Sequence, residues 1–336
     1  MSLFERAAIG GIVVMAYSIS AAQVQSDSRT PVHTYSIVAR DPQTGQLGVA
    51  VQSHYFSVGP IVPWAEAGVG AVATQSLAKV DYGPDGLALM RQGLTATQAL
   101  AALLENDDHR EVRQVAMIDA KGNVATHTGA KCIAAAGHLT GENFSVQANL
   151  MLNDSVWPAM KKAFESAPGD LADRLLAALE GAQAAGGDIR GQQSAAILVV
   201  SGEKQDRSCK GRIFDLRVED HPRPVEELKR LVRLQRAYRL TDEGDDFVAA
   251  QKFDEALTAY AKAAELAPDV VELKFWQAVT LFKVGKEDES LRIFREVFAK
   301  EPLWAEVVPR VVPLDLLPND PAAIKRITDL RPGKRD

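Results

Sequence analysis

The sequence predicts an α+β fold: two antiparallel sheets between outer helical layers, an αββα sandwich of four layers, followed by a small all-α domain. Three observations predict it. Residues 34–218 run as strands, two helices, strands, two helices, strands, with no regular βαβ alternation. Residues 237–302 instead repeat a helical pattern with a period of 34 positions. The two patterns meet at residues 219–236, a charged stretch with prolines at 222 and 224 that reads as a linker.

The elements follow in order. Arg6 and the free amine precede an apolar run from Ala7 to Ala16, and Ser18-Ile19-Ser20-Ala21-Ala22 then supplies small residues ahead of Gln23. That is the layout of a secretory signal peptide over residues 1–22, which predicts a periplasmic or secreted protein. The run is short for a span of about 20 residues, so no stable membrane span is expected after processing. Residues 23–33 (QVQSDSRTPVH) are polar and read as a tether or propeptide.

Thr34–Arg40 alternates like a strand, Asp41–Gly45 is a turn, and Leu47–Gln52 is a second strand. Val69–Thr74 is a third. Helical spacing then covers Pro84–Gln92 and Ala96–Glu105, with Gly93 as the stop between them. Extended segments are expected at Arg113–Ile118, Asn123–Thr128, Lys131–Ala135 and Phe144–Asn149. Two more helices fit Ser155–Ser166, capped by Asp154, and Leu171–Ala185, capped by Asp170. Ser194–Val200 and Arg212–Val218 close the sandwich.

Beyond the linker, Gly244, Phe247, Ala256, Tyr260, Ala263 and Pro268 occupy the offsets of a tetratricopeptide repeat. Ala278, Leu281, Ser290, Phe294, Val297 and Pro302 repeat them 34 positions later. Small residues at 256, 263 and 278 let paired helices approach, while Tyr260 and Phe294 fill the gaps. Residues 303–336 then read as a cap and tail. Such repeats predict a protein partner docked in their concave groove.

Bulk properties narrow the function. The net charge is -6, so a general nucleic-acid partner, which would need a basic surface, is not expected. Cys132 and Cys209 show no metal spacing, and the six histidines form no i, i+4 pair with an adjacent acid, so neither metal nor cofactor is predicted. There is no Walker A sequence, no G-x-S-x-G elbow and no H-E-x-x-H. Gly68-Val-Gly-Ala-Val-Ala73 matches G-x-G-x-x-A but opens no helix, so nothing would bring phosphate to a helix N-terminus.

The first strand is more informative. Thr34 heads it, and if the bond from His33 were cut, Thr34 would hold both a hydroxyl nucleophile and its own α-amine as general base. Threonine is also simply a good strand residue. Ser36 lies on the same strand face by the period of two and is the reserve nucleophile or a supporting hydroxyl. Gln75, Gln147 and Asn149 carry amides that suit oxyanion or substrate binding. In the glycine-rich loop, Arg190 suits a carboxylate clamp or an ion pair with Asp188. Gln192 and Ser194 continue that loop into a strand. Each of these is equally a polar turn residue satisfying backbone groups.

The run TYSIVARDPQTGQLGVAVQSHYFSVGPIVPWAEAGVGAVATQS resembles the family catalogued as domain of unknown function 1028, as do HTG at 127–129, GHLTGENFSVQAN at 137–149 and GDIRGQQSAAILVV at 187–200. The resemblance spans about residues 33 to 218. That family is grouped with the N-terminal-nucleophile (Ntn) hydrolases, which implies the αββα sandwich and places the nucleophile at Thr34. With the signal-peptide layout, the Thr34 position leads to the expectation of an exported amidohydrolase acting on a small amide or peptide. The other reading is an inactive sandwich used as a binding platform.

Overall fold

The computed structural model describes residues 31–207 and 209–333. The segment expected to be a signal peptide and most of the expected tether therefore lie outside the described residues. The sandwich begins with β1 (Pro31–Val32), β2 (Thr34–Arg40), β3 (Leu47–Ser53), β4 (Pro63–Glu66) and β5 (Gly70–Leu77). Helices α1 (Tyr82–Arg91) and α2 (Ala96–Glu105) follow, then β6 (Arg113–Asp119), β7 (Val124–Thr128), β8 (Gly137–Gly141) and β9 (Phe144–Ala148). Helices α3 (Val156–Ser166) and α4 (Leu171–Ala184) precede β10 (Ser194–Val200) and β11 (Arg212–Val218).

One sheet has the order β1-β5-β6-β7, with β4 also paired to β5, and the other has the order β11-β10-β3-β2-β9-β8. Every pairing is antiparallel. Side chains alternate across each strand, and three apolar layers result. Val72, Leu87, Met90, Leu100 and Met117 fill the space between the first sheet and α1–α2. Val38, Val49, Ala71, Ile118 and Val200 lie between the sheets. Tyr35, Ile37, Met160, Leu175 and Leu179 fill the space between the second sheet and α3–α4. The molecule is the predicted αββα sandwich.

Three local expectations need correction. Lys131–Ala135 is a series of turns and bends, and the strand comes later, as β8. Asp154 does not cap α3; Ser155 occupies the cap position, and Asn153 Oδ1 accepts from its backbone N–H at 2.8 Å. Residues 63–66 form a strand that the proline at its head had hidden. Proline is tolerated there because β4 lies on a sheet edge. By contrast Asp170 does cap α4, accepting from Asp173 N–H at 3.0 Å.

The join between the two parts is not loose. A single helix, α5 (Pro224–Ala249), runs through it and at 1.5 Å per residue extends about 39 Å. Its first half packs Val225, Leu228 and Val232 into the sandwich core. Arg236 reaches back to Asp170 and Asp173 at the start of α4. Its second half meets α6 (Phe253–Leu266) and α7 (Val271–Lys283) through Ala237, Ala263 and Leu273. A Cβ added at Gly244 would sit 2.6 Å from the Tyr260 ring, so only glycine permits that helix approach. Phe275, Phe294 and Phe298 then bind α7 to α8 (Glu287–Lys300), and residues 305–327 close over this pair, ending in α10 (Pro321–Thr328) after the short α9 (Val308–Val311).

Candidate functional site

The hairpin turn sets the register of the site. Arg40 pairs with Leu47, and the same ladder carried back places Thr34 opposite Ser53. Ser53 in turn pairs with Ser194 on β10. On the other side Ser36 pairs with Gln147, so the register puts Asn149 opposite Thr34, to whose carbonyl its backbone N–H donates at 3.1 Å. Hydroxyls and amides therefore line the inner face of the second sheet at the end where β2 begins. Gln75 and Gln114, paired on β5 and β6, face them from the first sheet.

These side chains bond one another across the gap. Ser36 Oγ donates to Gln75 Oε1 at 2.6 Å and accepts from Gln147 Nε2 at 2.6 Å. Gln75 Nε2 donates to Gln114 Oε1 at 2.6 Å, as does Asn149 Nδ2 at 2.9 Å. Gln114 Nε2 continues to Thr128 Oγ1 at 2.9 Å and to the Ala148 carbonyl at 3.0 Å. Ser36, Gln75, Gln114, Gln147 and Asn149 are all buried. Buried amides are stable only when paired, and these satisfy each other. Their N–H groups are spent in tying the sheets together. The expectation that Gln75 and Gln147 donate to an oxyanion therefore finds their donors already engaged.

The chain enters this network through His33. β1 pairs with the end of β5, Val32 opposite Ser76, so the backbone crosses from one sheet to the other at the His33–Thr34 bond. His33 is buried, and its Nδ1 lies 2.7 Å from Asn149 Oδ1. Facing an acceptor, that nitrogen carries the ring proton. Burial pushes the His33 pKa below its ordinary value, while the Asn149 bond opposes the shift.

The carbonyl oxygen of His33 accepts two bonds. Ser53 Oγ donates at 2.6 Å and Arg190 Nη2 at 2.9 Å. Arg190 is held in place by Asp188, whose carboxylate accepts from Nε at 3.0 Å and from Nη2 at 2.7 Å. The Asp188 side chain is fully buried and also accepts from the His54 backbone N–H at 3.2 Å. The ion pair is present: Asp188 aims the guanidinium, whose Nη2 donates to a backbone carbonyl rather than to a carboxylate. Thr34 is buried, and its hydroxyl donates to the Val32 carbonyl at 2.7 Å, with Ser53 Oγ 3.3 Å away. Backbone strain gathers at the same end, where Ser57, Ser76 and Leu150 hold φ of 57°, 71° and 57°.

The predicted residues thus divide. Thr34, Ser36, Gln75, Gln147, Asn149, Asp188 and Arg190 converge at one end of the sandwich. Ser194 serves a different purpose, donating to the Tyr55 carbonyl at 2.5 Å and accepting from Val58 N–H, which pins the loop after β3. Gln192 is half-buried on the loop into β10, outside the network. Sequence reasoning missed Ser53 and Gln114. Ser53 lay one residue beyond the expected end of its strand, although the hairpin register alone would have set it opposite Thr34. Gln114 had no such signal, because its role depends on how the two sheets face.

Among the described residues no group of three or more His, Cys, Asp or Glu side chains gathers to hold a metal, and both cysteines are free thiols. No described helix is long and apolar enough to cross a membrane.

Residues 34–228 match the family of unknown function DUF1028. A crystal structure of a protein of that family from Silicibacter pomeroyi is 33% identical, with a TM-score of 0.53 over 59% of this chain and 84% of that one. Anbu (ancestral beta-subunit) from Yersinia bercovieri is 12% identical, with a TM-score of 0.28 over 58% of this chain and 91% of its own. No curated protein matches the chain.

Proposed function

Because this chain belongs to the family of unknown function DUF1028, we propose from its site chemistry that it is an exported Ntn-type amidohydrolase with Thr34 as nucleophile. The observation that carries this reading is the pair of donors, Ser53 Oγ and Arg190 Nη2, on the carbonyl just before Thr34. Donors at that oxygen stabilise the charge that develops when a nucleophile adds to its carbon.

The sequence of steps is balanced without a cofactor. Thr34 Oγ adds to the His33 carbonyl carbon, its proton passes to the Thr34 nitrogen as the C–N bond breaks, and the acyl group moves from nitrogen to oxygen as an ester. Water hydrolyses the ester and leaves a carboxylate on His33 and a free α-amine on Thr34. That amine, with a pKa of about 7.7–8.0 when unperturbed, then takes the hydroxyl proton as Oγ attacks a substrate amide. The substrate amine departs with that proton, and water releases the acyl group.

The α5–α8 segment would serve as a tetratricopeptide-type platform for a protein partner. Its tight Gly244–Tyr260 approach and buried Ala256, Ala263 and Ala278 support that reading. A second reading, an inactive Ntn-fold platform, is favoured by one observation: β1 covers a fully buried Thr34.

Intact-mass measurement and N-terminal sequencing of the purified protein separate the two. A chain beginning at Thr34, lost on Thr34→Ala and retained on Thr34→Ser, is the expected result. A chain that still carries His33 on Thr34 under every condition sinks the hydrolase.

A further inference from the structure

In the steps proposed above, the first acyl group that Thr34 Oγ takes is the chain's own, ending in Val32-His33. Once the C–N bond has broken, Thr34 carries that group on Oγ and a free α-amine on nitrogen. A peptide with the same acyl side, attacked by the mature site, gives the same ester. The seats of Val32 and His33 are therefore seats for the last two acyl-side residues of a substrate. Both are enclosed, since Val32 is 2% exposed and His33 3%.

The backbone seat is a strand edge. β4 covers β5 from Gly70 to Ala73, and β1 covers the same edge farther on, with Val32 opposite Ser76 and Pro31 opposite Leu77. Departure of the residues before Thr34 leaves Ser76–Leu77 without its partner strand. An extended peptide restores that pairing. The acyl oxygen then falls where the His33 carbonyl lies, with Ser53 Oγ at 2.6 Å and Arg190 Nη2 at 2.9 Å.

The side-chain seat of His33 reads for a hydrogen-bond donor, and a backbone group decides this. The Ala148 carbonyl can only accept, so the Gln114 nitrogen is the atom that points to it, at 3.0 Å. Gln114 Oε1 is thereby the acceptor for Asn149 Nδ2 at 2.9 Å. Asn149 Oδ1 is left turned to His33 Nδ1, 2.7 Å away, where only a donor satisfies it. A side chain without one strands a buried amide oxygen. The neighbouring seat is apolar. Val32 belongs to the cluster that includes Val51, Val58, Val62 and Ala78, where burying a charge is costly.

We propose that the substrate is a peptide held extended along Ser76–Leu77. The residue giving the acyl carbon carries a hydrogen-bond donor on its side chain, and a small branched apolar residue precedes it. The proposal rests on the hydrolase reading above. Thr34 Oγ bonds to the acyl carbon as the amide C–N bond breaks, and the hydroxyl proton leaves on the departing amine by way of the α-amine. Water then splits the ester to a carboxylic acid and restores the hydroxyl.

The test uses the full chain, with its N-terminal mass recorded, and acetyl-Pro-Val-His aminomethylcoumarin amide, whose hydrolysis releases the fluorophore. Two further amides replace the histidine by leucine or the valine by aspartate. Each change should lower kcat/KM about tenfold to a hundredfold, the scale of one unsatisfied buried polar group. Asn149→Ala should erase the preference for histidine over leucine. That readout is a ratio of two substrates on one preparation, so loss of folded protein does not imitate it. A chain cut at Thr34 that hydrolyses the three amides equally, prefers leucine or aspartate, or hydrolyses none overturns the substrate class and leaves the hydrolase standing. A preference for histidine that survives Asn149→Ala also overturns it. A chain uncut at Thr34 sinks the hydrolase and the substrate together.

Discussion

The two ends of the layer between the sheets use the same backbone for opposite purposes. At one end Val38, Val49, Ala71, Ile118 and Val200 meet without a polar atom among their side chains. At the other, Thr34, Ser36, Ser53, Gln75, Gln114, Gln147 and Asn149 fill equivalent inward positions with hydroxyls and amides, all buried. Apolar burial is non-directional and stabilises whatever covers it. A buried polar network contributes little net stability, but it permits only one arrangement of its members. The contrast teaches that the apolar end holds the sheets together, whereas the polar end sets one peptide bond, His33–Thr34, in a defined place.

That contrast can be broken at either end. The largest effect is expected from Ile118→Ala, which should cost about 3 kcal/mol through the cavity it leaves. A melting curve should show a drop of roughly 10 °C, with processing at Thr34 intact in the protein that remains folded. Next, Arg190→Lys keeps a charge beside Asp188 but loses the fork that reaches the His33 carbonyl. Self-cleavage followed by mass should slow about a hundredfold, with the melting temperature nearly unmoved. An unchanged cleavage rate would show that the clamp is only structural.

Acid should act on the polar end first. Folding holds the His33 pKa below its ordinary 6.5, so the folded state favours the neutral ring. The unfolded chain then binds more protons, and stability falls as pH drops through 6.5 toward the lower folded value. Burial shifts His138 in the same direction. His33→Gln should therefore flatten, without abolishing, the loss of melting temperature between pH 7 and pH 5. An identical slope in both proteins would remove His33 from the account. The smallest effect is expected at Gln52. Replacing its buried, unpartnered amide by the similar volume of leucine should stabilise the fold by about 1 kcal/mol, as read from denaturant midpoints. A loss of stability would mean that the amide has a partner in solution.

Much of this was legible along the chain, for local reasons. The alternation in Thr34–Arg40 and Ser194–Val200 marks strands because side chains on a pleat face opposite ways. The Ala96–Glu105 helix is announced by helical spacing after the Gly93 stop, and the structure adds a reciprocal cap from Thr95 and Gln98. The small residues Ala256 and Ser290 mark packed helices, α6 and α8, because close approach needs small side chains. Failures were equally local. β4 is four residues long and starts with proline, too short for any periodicity to show. Residues 219–236 read as a linker by their charge, but an exposed helix face is charged for the same reason.

By itself, then, the sequence determined the order of elements, the antiparallel hairpin and the position of Thr34 at the head of its strand. Each follows from interactions within a few residues, or from a period that one chain segment displays. Only the tertiary structure decided that Ser53 and Arg190, 20 and 157 residues from His33, share its carbonyl. It alone decided that Gln75 and Gln114 face Ser36 and Asn149 across the gap. Hydrogen bonds of that kind depend on angles and distances between separate sheets, which no local pattern of residue types encodes.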